Sequence, residues 1–248
     1  MEYGILINKE FRELFEKINS KSYCSVCQEH KDRKKFIIKD KKYIKKDNTN
    51  FSNVLPGFSS EKISKSVDLL IVADSHSGTP EKLFREQIGL EKEVNDMNEY
   101  YRNAEMETFH QQEIRELLKK LDNKKITWVF TDLIKCYVWH GNDKENIELN
   151  GYKNRNTAIT HCKKYLDEQI KVLNPKIILS LGNTVSEGYF KLKKLEHAKK
   201  YIEKVKGKDY EIIHSVFPSR NTADLWVKNK GWAKILKQLE NNNLKIKK

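Results

Sequence analysis

The stretch Ile126–Cys136 reads ITWVFTDLIKC, an apolar run that leads directly into polar residues. Its first half combines β-branched and aromatic residues, which pack well on a buried pleated surface, and therefore predicts a strand. In an open α/β sheet, ligands bind in the crevice beyond the carboxyl ends of the strands. We expect the strand to end where the polar residues begin, which places Asp132 at a functional site.

Three other apolar segments predict strands, and helical periodicity fills the intervals between them. The strands are Val67–Ala73, Lys176–Leu181 and Tyr210–Val216, and the main helices cover residues 82–121, 156–173, 184–205 and 223–239. Strands that alternate with helices favour a parallel sheet covered on both faces. The sequence therefore predicts a three-layer α/β/α fold around a central, mostly parallel, four-stranded sheet.

The length of the chain suits one large α/β domain, which we assign to residues 1–248. Residues 1–66 contain an N-terminal helix over 3–18, a CxxC motif and a basic segment. Residues 67–240 form the α/β core, and an unusually polar helical insertion lies near 91–110.

The composition is strongly basic. Lys and Arg number 48 against 35 Asp and Glu, the net charge is +13 and the pI is about 9.3. This balance favours a polyanionic partner such as DNA; the alternative is a lysine-rich composition with solvated surfaces. No apolar run approaches the roughly 20 residues that span a bilayer, and the N-terminus lacks a signal-peptide layout. We expect a cytoplasmic monomer that does not bind membranes.

The four cysteines of the chain are Cys24, Cys27, Cys136 and Cys162. In a reducing compartment cysteines serve as metal ligands more often than they form disulfides. A CxxC pair with two distant single cysteines predicts one site made from all four. The spacing does not choose between zinc and an iron–sulfur cluster.

The motifs of the chain occur in a characteristic order. A CxxC pair is followed by a strand with an acidic loop, a strand ending in cysteine, a cysteine-bearing helix before another strand, and a Pro-Ser loop. They read Cys24–Cys27 (CSVC), Val67–Gly78 (VDLLIVADSHSG), Thr131–Cys136 (TDLIKC), Cys162–Gly182 (CKKYLDEQIKVLNPKIILSLG) and Phe217–Thr222 (FPSRNT). From about Cys24 to Trp232, without the insertion, this order resembles the uracil-DNA glycosylase superfamily, especially its iron–sulfur branch. The resemblance implies a DNA glycosylase with a 4Fe-4S cluster on the four cysteines.

The first motif carries the acidic group that the resemblance assigns to catalysis. Asp74 would position a water molecule and stabilise the cationic sugar that develops as the base departs. Ser75, which follows it, is assigned to base binding. The alternative is that Asp74 makes a turn or caps the next helix.

The last motif departs from the family, which has histidine where this chain has Phe217. In the family that histidine helps the leaving base to carry negative charge. The resemblance leaves His214 and His76 as candidates to replace it, although each also suits an ordinary strand or loop position. The remaining loop residues would hold the DNA backbone in the minor groove while the nucleotide is extruded; they are Pro218, Ser219, Arg220 and Asn221.

A second departure concerns Asp132, since the family reads uracil there with asparagine. An ionised carboxylate only accepts hydrogen bonds, so it would repel uracil O4 and accept from the amino group of cytosine. Asp132 therefore favours a cytosine-type base, unless it is a strand-end residue and uracil is still the target. A glycosylase that removes cytosine must also require that the cytosine be modified, because unmodified cytosine is part of the host genome. The small residues Ala73, Ser75 and Ser77 would leave room for one.

These arguments predict a monofunctional DNA glycosylase that excises a modified cytosine, such as glucosylated hydroxymethylcytosine in double-stranded phage DNA, as antiviral defence. The resemblance includes superfamily members with that activity. The alternatives are a uracil-DNA glycosylase of base-excision repair, and a non-catalytic nucleic-acid-binding protein that contains a cluster or zinc. The loss of histidine before Pro218 favours the last of these.

Overall fold

A computed structural model describes residues 9–19, 57–60, 63, 66–75, 98–99, 101–102, 108–135 and 152–242. In this part of the chain the strands are β1 (Phe58–Ser59), β2 (Leu69–Ser75), β3 (Trp128–Ile134), β4 (Ile177–Leu181), β5 (Lys200–Val205) and β6 (Lys208–Ser215). The helices are α1 (Lys9–Asn19), α2 (Phe109–Asn123), α3 (Tyr152–Leu173), α4 (Ala223–Lys228) and α5 (Gly231–Asn241). A short π-helical segment spans Thr184–Tyr189, and a 3-10 turn spans Arg220–Thr222.

The six strands form one sheet in the order β1-β3-β2-β4-β6-β5. The four inner strands are parallel and correspond to the four predicted strands, whereas β1 and β5 pair antiparallel at the two edges. The predicted α/β fold with a mostly parallel sheet is therefore confirmed, but the predicted count of four strands was too low. Strand β1 lies within residues 1–66, where no strand was predicted.

The helix predicted over 184–205 was wrong. Helical structure ends at Tyr189, and Lys191, Lys194 and Ala198 adopt positive φ angles of 61°, 53° and 62°, which a right-handed helix does not accommodate. Strand β5 follows and pairs with β6 through a turn at Lys206 and Gly207, where φ is 49° and 86°. Positive φ at both central residues is the geometry of a tight β-hairpin turn, so the hairpin replaces the end of the helix.

The single helix predicted over 223–239 is broken in two. Lys230 and Gly231 have φ angles of 61° and 45°, and they separate α4 from α5. A Cβ atom at Gly231 would lie 3.0 Å from Nε1 of Trp226, so the turn requires glycine for space as well as for conformation. The indole of Trp226 therefore packs directly against the backbone of the break.

The two faces of the sheet carry different helices. The side chain of Trp128 donates to Asp122 of α2 at 2.9 Å, so the face that Trp128 shares with Phe130 and Asp132 is the α2 face. On the other face Thr131 donates to Gln169 of α3 at 3.1 Å. Helix α5 joins the α2 layer, since the indole of Trp232 donates to a backbone carbonyl of α2. The core is therefore two apolar layers, one on each side of the inner strands.

Part of the predicted insertion near 91–110 packs onto the sheet. Tyr101 is buried and stacks on Phe58 of β1, with ring centroids 4.9 Å apart. The guanidinium of Arg102 contacts the Asp122 carboxylate at 2.8 Å, and Arg115 donates to the carbonyl of Tyr101. These residues tie the segment to α2 and to the β1 edge.

Among the described residues, no helix is both long and apolar enough to cross a membrane.

Candidate functional site

Asp132 lies inside β3 rather than beyond its end. The strand continues to Ile134 because pairing with β2 extends through Ala73 opposite Asp132 and Ser75 opposite Ile134. The side chain is buried on the α2 face, with 7% of the residue exposed. Burial raises the pKa of this carboxyl, and the nearby Lys135 ammonium opposes the shift. The predicted end of the strand was therefore too early, although Asp132 is still within three residues of the carboxyl edge.

Lys135 directly follows β3 and stabilises the end of the strand from the face opposite to the Asp132 side chain. Its Nζ atom donates to the hydroxyl of Thr131 at 2.6 Å, to the backbone carbonyl of Asp132 and to the side-chain oxygen of Gln169. Only 1% of the residue is exposed, and burial lowers the pKa of the ammonium while Asp132 and Cys162 raise it. A buried charge requires hydrogen-bond partners, and the ammonium of Lys135 has these three acceptors. Lys135 fixes the backbone that carries Asp132.

Asp74 is the penultimate residue of β2 and directly follows Ala73, which is the register partner of Asp132. It is half-buried. The two carboxyl-bearing strands are neighbours in the sheet, so both acidic residues lie near its carboxyl edge. Because side chains alternate along a strand, Asp74 faces the α3 side whereas Asp132 faces the α2 side. Ser75 ends β2, but its side chain and the whole of His76 lie outside the described residues.

His214 lies on the other face of the sheet from Asp132. The strand register pairs His214 with Ser180, Ser180 with Val72, and Val72 with Thr131. Because Thr131 contacts α3, this row of side chains faces α3. The Nδ1 atom of His214 is 2.7 Å from the hydroxyl of Ser186, which in turn contacts the hydroxyl of Ser180. Burial lowers the pKa of His214 to about 4, and His197 adds to the effect. The geometry favours a neutral structural imidazole, and it places His214 on the face opposite to Asp132 and on the same face as Asp74.

The Pro-Ser loop follows β6 at the carboxyl edge. The hydroxyl of Thr222 donates to the carbonyl of Phe217 at 2.6 Å and accepts from the backbone N–H of Ser219 at 2.9 Å. Pro218 is buried and Asn221 is exposed, whereas the side chain of Arg220 lies outside the described residues. These hydrogen bonds of Thr222 fix the conformation of the predicted DNA-binding loop.

Phe217 is half-buried against the core, and its ring approaches His110 of α2 with centroids 6.0 Å apart. Sequence reasoning overlooked His110 because it fell at the end of the presumed insertion. Local sequence carries no signal for a contact between residues so far apart in the chain. The structure thus places an imidazole next to Phe217.

Of the four predicted metal ligands, Cys162 is described and is buried in α3. It interacts electrostatically with Lys135, which immediately precedes Cys136 in the chain. Cys24, Cys27 and Cys136 lie outside the described residues. Within the described ranges, no group of three or more His, Cys, Asp or Glu side chains is arranged to hold a metal ion.

The chain matches the family model of the uracil DNA glycosylase superfamily over residues 77–240, which is more than half of its length. It therefore belongs to this superfamily, whose members are DNA glycosylases. The match includes Asp132, two of the cysteines and the Pro-Ser loop, and it begins just after Asp74. A search of the curated proteins found no match.

Proposed function

We propose that this glycosylase is monofunctional and excises a modified cytosine, such as glucosylated hydroxymethylcytosine, from double-stranded phage DNA. It would act in antiviral defence and leave an abasic site. The observation that carries the proposal is the buried carboxyl of Asp132 on the strand beside Asp74. The net charge of +13 supports binding to a polyanion.

In this mechanism Asp74 acts on the sugar. The bond between the base nitrogen and C1′ breaks, both of its electrons leave with the base, and positive charge develops on the sugar. The Asp74 carboxylate stabilises that charge and accepts a proton from the water that adds to C1′. Its place at the carboxyl edge of the sheet is where ligands bind in open α/β folds.

Asp132 would select the base. When ionised, its carboxylate accepts from the exocyclic amino group of cytosine, whereas uracil presents a carbonyl oxygen at the same position. Leaving that oxygen and the carboxylate unpaired would cost about 1–3 kcal/mol, which disfavours uracil by about fivefold to a hundredfold or more. Lys135 supports this selection because it fixes the carbonyl of Asp132.

Uracil repair is the second candidate function, and the raised pKa of Asp132 favours it. A protonated carboxyl donates one hydrogen bond and accepts another, as the amide of asparagine does, and it would therefore suit uracil. The protonation state of Asp132 during the reaction decides between the two bases.

We also propose that Cys24, Cys27, Cys136 and Cys162 hold a 4Fe-4S cluster, with zinc as the alternative. The support is that Cys162 interacts electrostatically with Lys135, the residue that precedes Cys136 in the sequence. Thiolates suit both iron–sulfur clusters and zinc. The cluster would tie the N-terminal segment to β3 and α3. Iron, sulfide and zinc analysis of the purified protein, together with its visible absorption, tests this proposal.

One screen tests the proposed activity. Duplex DNA carrying uracil, cytosine, hydroxymethylcytosine or its α-glucosylated form is incubated with the protein, and free bases are identified by mass spectrometry. We expect release of the glucosylated base with an intact abasic strand. Release of uracil alone would establish the repair function, and binding without release of any base would establish a non-catalytic DNA-binding protein.

A further inference from the structure

The reaction needs a hydrogen-bond donor for the departing base, and His214, a predicted donor, lies on the face of the sheet opposite to Asp132. When the glycosidic bond breaks, the base leaves with both bonding electrons, and its oxygen and nitrogen atoms become stronger hydrogen-bond acceptors. A positioned N–H group stabilises that charge most when it lies on the same side of the sheet as the base-reading residue. Phe217, at the start of the Pro-Ser loop, has no side-chain donor.

His110 lies on the required face. It belongs to the first turn of α2, the helix that contacts Trp128 and so covers the face shared by Trp128 and Asp132. Helix α2 has 15 residues and β3 has 7, so both are about 22 Å long. Because α2 ends where the chain turns into β3, its first turn is level with the carboxyl end of that strand.

The surroundings of His110 leave its ring able to donate a hydrogen bond to a ligand. Its ring is half-buried and packs near Phe217, which connects it to the Pro-Ser loop. Its Nε2 atom is 3.5 Å from the hydroxyl of Thr108, a distance at which a hydrogen bond is weak. Thr108 is itself fixed, because its backbone N–H donates to the side chain of Gln111 at 3.2 Å. Burial lowers the pKa of His110, which keeps the imidazole neutral at neutral pH with one N–H to donate.

The two other histidine side chains that the structure describes form hydrogen bonds within the protein. His214 contacts Ser186 on the α3 face. His197 accepts from the backbone N–H of Val216 through Nδ1, and its Nε2 then donates to the carbonyl of Gly231 at 3.1 Å. Both ring nitrogens of His197 are therefore used within the protein.

We propose that His110 is a catalytic residue whose ring N–H donates a hydrogen bond to the departing pyrimidine base. The bond from the base to C1′ breaks, the electron pair moves onto the base, and the proton of the attacking water goes to Asp74. His110 keeps its proton and stabilises the anionic base until solvent protonates it. This role rests on the proposed glycosylase function.

The test compares His110→Ala and His110→Gln with the wild type in single-turnover base release, on the base that the wild type releases most rapidly. Enzyme concentration is varied to separate the maximal rate from the half-saturating concentration. We expect His110→Ala to lower the maximal rate by about a hundredfold, with half-saturation changed by less than about twofold. His110→Gln keeps an N–H donor and should retain at least about tenfold more activity than His110→Ala.

Glu116→Gln, on the exposed side of the same helix, is the matched control and should behave as the wild type. Thermal unfolding of each variant identifies any loss that comes from misfolding. A maximal rate for folded His110→Ala within about threefold of the wild type would overturn the role of His110. So would equal losses in the Ala and Gln variants. If the wild type releases no base at all, the proposed function fails before His110 is tested.

Discussion

The Nζ atom of Lys135 donates to the backbone carbonyl of Asp132 from the face of the sheet opposite to the Asp132 side chain. These two residues, three apart in the chain, therefore have different roles, because Lys135 fixes the end of β3 against α3 while Asp132 faces the α2 layer. The position of the candidate base-reading carboxyl depends on a buried network that includes Gln169 and Thr131.

Replacing Lys135 with methionine should destabilise the protein. The change removes three buried hydrogen bonds, although the Gln169 oxygen keeps Thr131 as a donor, and it should lower the free energy of unfolding by about 1–3 kcal/mol. Denaturant unfolding measures this. The exposed Lys237→Met is the control and should be neutral within about 0.5 kcal/mol. A free energy of unfolding for Lys135→Met equal to that of Lys237→Met would contradict this account.

His214 should contribute to stability in a pH-dependent way. Its pKa of about 4 in the folded protein lies below the ordinary histidine value of 6.5, so the unfolded chain binds the proton more readily. The stability it contributes is complete above pH 6.5 and is lost as pH falls toward 4, by at most about 3 kcal/mol. Chemical denaturation across this range should show the loss, and His214→Gln should show less of it. Equal pH dependence in both proteins would rule the explanation out.

Gly231→Ala should be destabilising through both conformation and contact. The positive φ of 45° strains alanine, and its Cβ would meet the Trp226 indole at 3.0 Å. We expect a loss of about 1–3 kcal/mol in thermal or chemical unfolding. Gly207→Ala is a matched control with positive φ but with no atom within 4 Å of the new Cβ, so it should cost less. A larger effect at Gly207 would contradict the packing argument.

Base release should depend on pH through Asp132. Because its pKa is raised, the carboxyl ionises only as pH approaches neutrality and above, and the ionised form is the one that accepts from an amino group. We expect release of the amino-bearing base to increase from mildly acidic to mildly alkaline pH relative to release of uracil. The ratio of the two rates is the measurement. A ratio that does not change with pH would show that Asp132 does not read the base.

Sequence reasoning found the four inner strands because each is a continuous apolar run, and buried parallel strands have that pattern. It missed β5 because the strand alternates exposed and partly buried residues at an edge, and its charged side chains suit a helix equally well. The break at Gly231 depends on the shape of Trp226, which periodicity does not encode. Local pattern therefore located the core and misplaced elements that depend on distant contacts.

The candidate site was predicted in part for the same reason. Asp74 and Asp132 were located because both lie near the ends of recognisable strands, and register places their strands side by side. His214 was grouped with them because it lies near the same edge, but the alternation of side chains along β6 directs it to the α3 face, opposite to Asp132. His110 required the packing of α2 on the sheet, which is visible only in three dimensions.

The most direct test of the central claim is competitive base release by the wild type and Asp132→Asn. One reaction contains duplexes with uracil and with α-glucosylated hydroxymethylcytosine, and mass spectrometry measures the ratio of released bases. We predict that the wild type releases the glucosylated base in excess and that Asp132→Asn shifts the ratio toward uracil by about tenfold to a hundredfold. A wild type that prefers uracil, or a ratio unchanged by the substitution, would contradict the claim that Asp132 selects a cytosine-type base.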